Sequence, residues 1–399
     1  MIQPSFLLAT IEETLHELCV TIGARPTGSV ANLRAQQAIA RRFAALGLSV
    51  ELQSFTCMDW QGQGIALELG GEAIPAAISP YSMGCDLTAE YMLVGTVAQL
   101  EVADLVGRIA LLHGELTQEW VMPKNFPFWN PQEHQRIVRA LEASRPAAVV
   151  TVSFSEALPI PIFEDGDLDF PIAVVAKKDS GRLLAGAPGP LSVRIQAERR
   201  AAQAANVIAR LPGQPGRQKI VLTAHLDTKP GTAGALDNAG GIATLLTLSQ
   251  LARDEAWPFD VEFAVFNGED YFSAAGETAY LQRRQVEFPS VLLAINVDGV
   301  GLMDSPLGVS YYGLDEAWIE RCEQVRRSHP QVEQIEPWYQ GDHMLFIAEN
   351  VPSLALTARD VFALVDTLIH TERDTLALLD AELLLTSASY LLDVLKVWR

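Results

Sequence analysis

Residues 220–253 read IVLTAHLDTKPGTAGALDNAGGIATLLTLSQLAR, and this stretch decides the fold. It begins with the nearly continuous apolar run Ile220 to Ala224, which is typical of a strand buried in a parallel sheet. It ends with a good helical pattern from Gly240 to Arg253. A glycine-rich loop between them carries His225 and Asp237. A strand, a loop and a helix in this order predict an α/β domain.

The same alternation continues through the rest of the C-terminal half. Hydrophobic patterns predict strands at Val261–Phe266, Val291–Ile295 and Ser353–Thr357, and helices at Ala274–Arg284, Glu316–Ser328, His343–Ala348 and Asp380–Trp398. The N-terminal residues 5–46 are also helical in pattern, with a turn at Gly23–Ser29 that divides them into two helices. A strand is predicted at Ser49–Phe55.

The middle of the chain has a different sequence pattern. Residues 56–199 contain short β-like runs such as Val106–Leu112 and Ala147–Phe154, frequent prolines, and one helical stretch at Glu133–Ala143. We therefore predict a catalytic α/β domain formed by residues 1–55 and 200–399, with a β-rich module of residues 56–199 inserted into it.

The amino-acid composition disfavours some classes of binding partner. The formal net charge is -20, so the protein should repel nucleic acid and anionic membranes. No apolar run is long enough to span a membrane, and the N-terminus lacks the pattern of a signal peptide. The four cysteines form no CxxC pair. These features predict a cytoplasmic protein with reduced thiols, and they leave its oligomeric state open.

Chemically active side chains follow three of the predicted strands. His225 and Asp227 follow the first, Glu269 and Asp270 the second, and Asp298 the third. Because ligands bind at the carboxyl ends of strands in open α/β sheets, these groups should meet in one crevice.

The residue types in this crevice suit metal chemistry. Imidazole and carboxylate groups bind zinc, and a carboxylate such as that of Asp237 can bridge two ions. With His370, the set predicts a two-metal hydrolase. Glu269 beside Asp270 would provide both a general base and a metal ligand.

Several motifs resemble those of the M28 family of zinc peptidases. The similar stretches are GARPTGS (23–29), AHLDT (224–228), GALDNAGGIA (234–243), FNGEDYFSAAGETAY (266–280), NVDGVG (296–301), GDHMLF (341–346) and IHTERDT (369–375). The resemblance covers about residues 11–55 and residues 206 to the end.

The resemblance implies a role for each site residue. His225 and Asp298 would bind one zinc ion, Asp270 and His370 would bind a second, and Asp237 would bridge them. Glu269 would be the general base. Asp227 would support catalysis by hydrogen bonding to His225 and fixing its tautomer. Asp374 would support the loop of His370.

The resemblance also implies a fold and a reaction. The fold would be the zinc exopeptidase type, a mixed, mostly parallel sheet flanked by helices. The middle module resembles a protease-associated domain through Val106–Leu112 and Pro171–Val175. The implied activity is that of an aminopeptidase, in which a metal-bound water attacks the first peptide bond of a peptide substrate.

One departure from the family pattern concerns the second metal. The family has Glu-Glu where this chain has Glu269-Asp270, and aspartate is shorter by one methylene. The second ion would therefore sit closer to the chain, and it could be cobalt or manganese instead of zinc.

Three other functions fit the sequence. A carboxypeptidase would need a cation for the substrate carboxylate, for which Arg359 and Arg373 are candidates. A glutaminyl cyclase would share the fold with one working metal. A catalytically inactive binding protein is suggested by Asp270 alone.

Overall fold

A computed structural model describes residues 3–127, 129–214, 218–364 and 367–399 of the chain. These residues form two compact units. Unit 1 comprises Met1–Cys57 and Ala202–Arg399, and unit 2 comprises Met58–Ala201. The chain thus leaves unit 1 once, forms unit 2, and returns.

The α-helices of the described residues are α1 (Pro4–His16), α2 (Val30–Ala45), α3 (Val97–Val102), α4 (Gln132–Ser144), α5 (Gly181–Leu184), α6 (Gly240–Ala252), α7 (Ala275–Arg284), α8 (Glu316–Arg327), α9 (His343–Ala348) and α10 (Ala381–Val397). The strands are β1 (Ser49–Leu69), β2 (Glu72–Ala73), β3 (Ala77–Ile78), β4 (Cys85–Ala89), β5 (Tyr91–Val94), β6 (Ile109–Leu112), β7 (Ala148–Val152), β8 (Ile172–Val175), β9 (Leu191–Leu211), β10 (Lys219–His225), β11 (Asp260–Phe266), β12 (Val291–Val297), β13 (Leu307–Tyr312), β14 (Val332–Gln334) and β15 (Ser353–Ala358).

Unit 1 is built on a mixed sheet with strand order β14-β13-β15-β12-β10-β11-β9-β1. The central strands β15, β12, β10 and β11 are parallel to one another, whereas β9 pairs antiparallel with β11 and β13 pairs antiparallel with β15. Every residue of β10 is buried, as its apolar sequence predicted. The expected mixed, mostly parallel sheet flanked by helices is confirmed.

Helices cover both faces of this sheet. On one face α1, α6 and α10 pack together, over a core that includes Phe263 and Val265 of β11. Because side chains alternate along a strand, Phe266 points to the other face, where its ring packs against Tyr280 of α7. Phe346 of α9 contacts Tyr280 as well. The carboxyl ends of the central strands lie between these two helical layers.

Unit 2 has its own sheet and its own cores. The strand order is β3-β8-β7-β6-β5, with β5 to β8 parallel. Helices α3 and α4 pack together, and their residues Leu100 and Leu141 are fully buried in one apolar cluster. The likeness of this unit to a protease-associated domain stays a prediction.

Most predicted elements occur within a residue or two of their expected bounds, including α6, α9, β11 and β12. Several strands were not predicted, among them β9, β13 and β14, and one strand is longer than expected. The strand predicted at Ser49–Phe55 continues to Leu69, where the side chains are too exposed to give a hydrophobic pattern. The edge strand β14 is only three residues long, so it carries no detectable period. No helix in the described ranges is long and apolar enough to cross a membrane.

Candidate metal centre

Three neighbouring parallel strands deliver the site residues to one edge of the sheet. His225 is the last residue of β10, and Asp298 directly follows β12, which pairs with β10. Asp270 lies in the loop after β11, on the other side of β10. Parallel strands end on the same side, so the side chains converge without any long connection.

The first half of the site is centred on His225. Its Nε2 atom lies 2.9 Å from Oδ1 of Asp237 and 3.5 Å from Oδ1 of Asp298. Oε2 of Glu269 is further away, at 4.0 Å. The imidazole is therefore faced by three carboxylates, of which Glu269 is the most distant.

The second half is centred on His370. Its Nε2 atom lies 3.0 Å from Oδ2 of Asp237 and 3.4 Å from Oδ1 of Asp270. Asp237 thus turns one carboxylate oxygen to each histidine. This is the arrangement expected of a carboxylate that bridges two positively charged groups.

The donor set fits a metal ion. Ligand atoms of His225, Asp237 and Asp270 all lie within 4.8 Å of one another, and all three residues are buried. Nε2 of His225 makes no hydrogen bond of acceptable geometry, although carboxylate oxygens are close to it. Atoms that converge on a common point without bonding one another are typical of ligands to a shared ion. Imidazole nitrogen and carboxylate oxygen are both zinc ligands.

Asp227 contacts His225 through its main-chain carbonyl group. Nδ1 of His225 lies 3.2 Å from the main-chain carbonyl oxygen of Asp227, and 3.9 Å from its carboxylate. A carbonyl only accepts, so the ring donates from Nδ1 and leaves the Nε2 lone pair toward the site. The carboxylate of Asp227 instead accepts hydrogen bonds from Oγ1 of Thr27 and the amide of Gly268. It thereby ties the Glu269 loop to the N-terminal segment.

The loop that carries Asp237 is held from two sides. The carboxylate of Asp374 accepts hydrogen bonds from the amides of Leu236 and Asp237, at 2.7 and 3.0 Å. On the other side, the fully buried guanidinium of Arg25 donates to the carbonyl oxygens of Leu226, Ala233 and Gly234. Asp374 was expected to support the His370 loop; its carboxylate contacts the Asp237 loop, and its main-chain amide donates to the carbonyl oxygen of Thr371, next to His370.

The site carries a surplus of negative charge. Burial and the carboxylate of Asp237 raise the pKa of Asp270 to about 7, although His370 opposes the rise. Burial raises the pKa of Glu269 well above its ordinary value. Burial opposes protonation of His370, but the carboxylates of Asp270 and Asp237 raise its pKa to about 9. Groups that hold protons because of surplus negative charge would hold a divalent cation in their place.

Several residues near the site escaped the sequence analysis. Lys229 brings its Nζ atom to 3.8 Å from Oδ1 of Asp270. Glu277 and Asp342 are buried carboxyl groups, and Asp342 has no hydrogen-bond partner for either oxygen. Glu277 and Asp342 lie in motifs that carry the family resemblance and Lys229 directly follows one, but their type and spacing gave no sign that they would lie near the site.

Two other residues considered from sequence have ordinary positions. His343 begins α9, and Nε2 of its ring lies 2.9 Å from the carbonyl oxygen of Trp338. Arg359, a candidate to bind a substrate carboxylate, is paired with Glu333 and Asp360 on the surface.

Known proteins share this fold and parts of this sequence. The chain is 24% identical over 297 residues to Aminopeptidase YwaD of Bacillus subtilis, covering 72% of this chain and 61% of YwaD. It is 30% identical over 134 residues to the probable lipoprotein aminopeptidase LpqL of Mycobacterium tuberculosis, covering 33% of this chain and 26% of LpqL. The chain therefore matches less than two thirds of either curated relative.

The fold is also that of a solved enzyme. The crystal structure of BSAP, a zinc aminopeptidase from Bacillus subtilis, superposes with a TM-score of 0.78 at 20% identity, covering 97% of this chain and 94% of BSAP. Residues 206–395 match the family model of peptidase family M28. That segment contains the strands, the helices and all five candidate metal ligands of the site. Residues 206–395 of the chain are therefore similar to peptidase family M28.

Proposed function

We propose that the chain is a two-zinc aminopeptidase that releases the N-terminal residue of a peptide. The observation that carries this proposal is the position of Asp237, with one carboxylate oxygen facing His225 and the other facing His370. Asp298 and Asp270 complete the two halves, so five side chains would hold two ions. Bound zinc would polarise the scissile carbonyl and lower the pKa of a water molecule.

The protein's own contribution to the chemistry centres on Glu269. Its side chain is 23% exposed, which leaves it accessible to water and substrate at the edge of the ligand cluster. Oε2 is the most distant carboxylate oxygen around His225, which suits a group that is not itself a ligand. Glu269 would take a proton from the attacking water at this oxygen and return it to the departing amine.

Two observations support an aminopeptidase over the other activities. The clustered carboxylates and the net charge of -20 favour a substrate with a free amine near the reacting bond. YwaD, LpqL and the zinc enzyme of similar fold are named aminopeptidases. For the carboxypeptidase alternative, the guanidinium of Arg359 is engaged by two carboxylates.

The substitution Glu269→Gln tests this proposal. Gln has nearly the same shape but cannot accept the proton, so kcat on aminoacyl substrates should fall by roughly 10²–10⁴-fold. The zinc content, measured on the same preparation, should stay at the wild-type level. Retained turnover with metal bound would show that Glu269 is not the base. The matched control is Glu336→Gln, at an exposed position of the same unit.

The class of peptidase can be tested with blocked peptides. We expect cleavage of a peptide with a free amine and an amidated C-terminus. Cleavage should be lost when the amine is acetylated. The opposite preference would indicate a carboxypeptidase.

A further inference from the structure

A lysine ammonium lies beside one half of the metal centre. Lys229 stands in the loop between His225 and Asp237, and its side chain is only 15% exposed. Its Nζ atom is 3.8 Å from Oδ1 of Asp270. The same oxygen lies 3.4 Å from Nε2 of His370. The ammonium and the imidazole thus share one carboxylate oxygen, which is a candidate metal ligand.

The positive charge lies beside both ligands of this half, because Oδ1 of Asp270, which the ammonium approaches to 3.8 Å, is also 3.4 Å from Nε2 of His370. In the described part of the chain, no lysine or arginine lies within ion-pair distance of His225 or Asp298. The two halves therefore differ in electrostatic environment, although their ligand types are the same.

A divalent ion in the second half would meet this charge at close range. The ion and the ammonium would compete for the same oxygen of Asp270, and they would repel each other in a poorly solvated site. The lysine stem is long and flexible, so the ammonium could move away from the ion, but it would then give up its ion pair with Asp270. Either way, binding of the second ion carries a cost that binding of the first does not.

We propose that Lys229 makes the two metal sites unequal. The His225–Asp298 half binds its ion tightly, and the His370–Asp270 half binds a second ion weakly and exchangeably. Occupancy of the second half would then follow the supply of free divalent metal. This inference rests on the proposed metal centre and adds to it a residue that sets the affinity of one half.

The test is a metal titration of the metal-free protein, which needs no measurement of activity. Zinc is added in calorimetry, with a chromophoric chelator as competitor for the tight step. The wild type should bind one ion tightly and one weakly. In Lys229→Met, which keeps the length of the side chain without its charge, the weak step should tighten by about tenfold or more. The tight step should change by less than about threefold, since the charge lies beside the other half.

Two further variants separate charge from shape. Lys229→Gln should also tighten the weak step, so the test survives if the methionine variant folds poorly. Lys229→Arg retains a positive charge and should keep the second step weak. Lys178→Met, at an exposed position in unit 2, is the control and should titrate like the wild type.

The outcomes distinguish this inference from the proposed function. Two equally tight ions in the wild type would overturn the inference and leave the two-zinc aminopeptidase intact. An unchanged weak step in both neutral variants would overturn it as well. A protein that binds no zinc, cobalt or manganese would overturn both proposals.

Discussion

The two histidines of the site present the same atom to Asp237, but they reach it by different routes. His225 ends a fully buried strand, its side chain is 1% exposed, and a main-chain carbonyl fixes its ring. His370 lies in a turn, with a backbone φ of 62° that few residues other than glycine adopt, and its side chain is 29% exposed. Neighbouring strands hold the first ligand in place, whereas only a loop holds the second.

This difference indicates how the site divides its tasks. A ligand on a buried strand is positioned before any ion arrives, so little order has to be created on binding. A ligand on a more exposed loop can shift to accommodate ions of different size or occupancy. Lys229 lies on the side of the adaptable half. We therefore expect the His225 half to be the permanent site and the His370 half to be the variable one.

The largest effect should come from removing one histidine at a time. His225→Ala should abolish detectable turnover and leave no tightly held zinc after dialysis, because the preformed half loses its only imidazole. His370→Ala should keep about one tightly bound ion, with activity strongly reduced. Metal content and kcat/KM of the two dialysed variants measure the difference. If both variants lost the same amount of metal, the two halves of the site would not differ in how tightly they hold an ion.

A smaller effect should follow from loosening the bridging loop. Asp374→Ala removes the acceptor for the amides of Leu236 and Asp237, and such supporting contacts are worth about 10–100-fold in metal affinity or activity. Because Asp237 serves both halves, both zinc-binding steps should weaken, unlike the result for either histidine.

A milder substitution of Asp374 should have an intermediate effect. Asp374→Asn keeps one accepting oxygen and should fall between the alanine variant and the wild type. Asp254→Asn, an exposed carboxylate of the same unit, provides the control. An effect confined to one binding step would mean that Asp374 supports only one half.

The smallest effect concerns the buried carboxyl of Glu277. Glu277 lies close to Gly268, the residue before the proposed base Glu269. One side-chain oxygen of Glu277 is 3.6 Å from the position that a Cβ atom would occupy at Gly268. Burial raises the pKa of Glu277 to about 8. A backbone hydrogen bond opposes this rise, and the negative charge of Asp227 adds to it. A raised pKa of an acid stabilises the fold at low pH, and this contribution is lost as pH rises through the folded value.

Glu277→Gln should therefore remove a pH dependence from the metal-free protein. As pH rises from about 5 to 8, the wild type should become less stable relative to the variant. The difference in the free energy of unfolding should change by up to about 1.4 kcal/mol per pH unit. Denaturant titrations at three pH values measure this change. If the free energies of unfolding of variant and wild type differed by the same amount at all three pH values, the buried position of Glu277 would tolerate a charged carboxylate. Glu156→Gln, which is exposed, should show no such change.

Much of the site could be predicted from sequence because strands have definite ends. The apolar run before His225 located the end of β10, and similar runs located Glu269, Asp270 and Asp298. The structure brings these residues together with Asp237 and His370, and their assignment as metal ligands stays a prediction. The predicted α/β class and the family resemblance are confirmed. The likeness of unit 2 to a protease-associated domain stays a prediction, because short β-like runs are shared by many folds.

The contacts that tune the site could not be predicted. Arg25 stands in a recognisable motif and Lys229 directly follows one, yet nothing in their spacing shows that Lys229 reaches Asp270 or that Arg25 reaches three carbonyl oxygens. The path of a long side chain depends on the packing around it. For Asp227 the residue was predicted but the contacting atom was not, since a main-chain carbonyl and a carboxylate are both available at that position.

By itself, the sequence determined the strands that carry the site and the helices that follow them, the residues that stand at those strand ends, and the chemical types available for catalysis. These follow from local periodicity, which is written along the chain. Only the tertiary structure decided which oxygen of Asp237 faces which histidine, where the ammonium of Lys229 lies, and which half of the site is buried. These properties depend on distances between segments far apart in sequence, and such distances exist only after the sheet and its loops have packed.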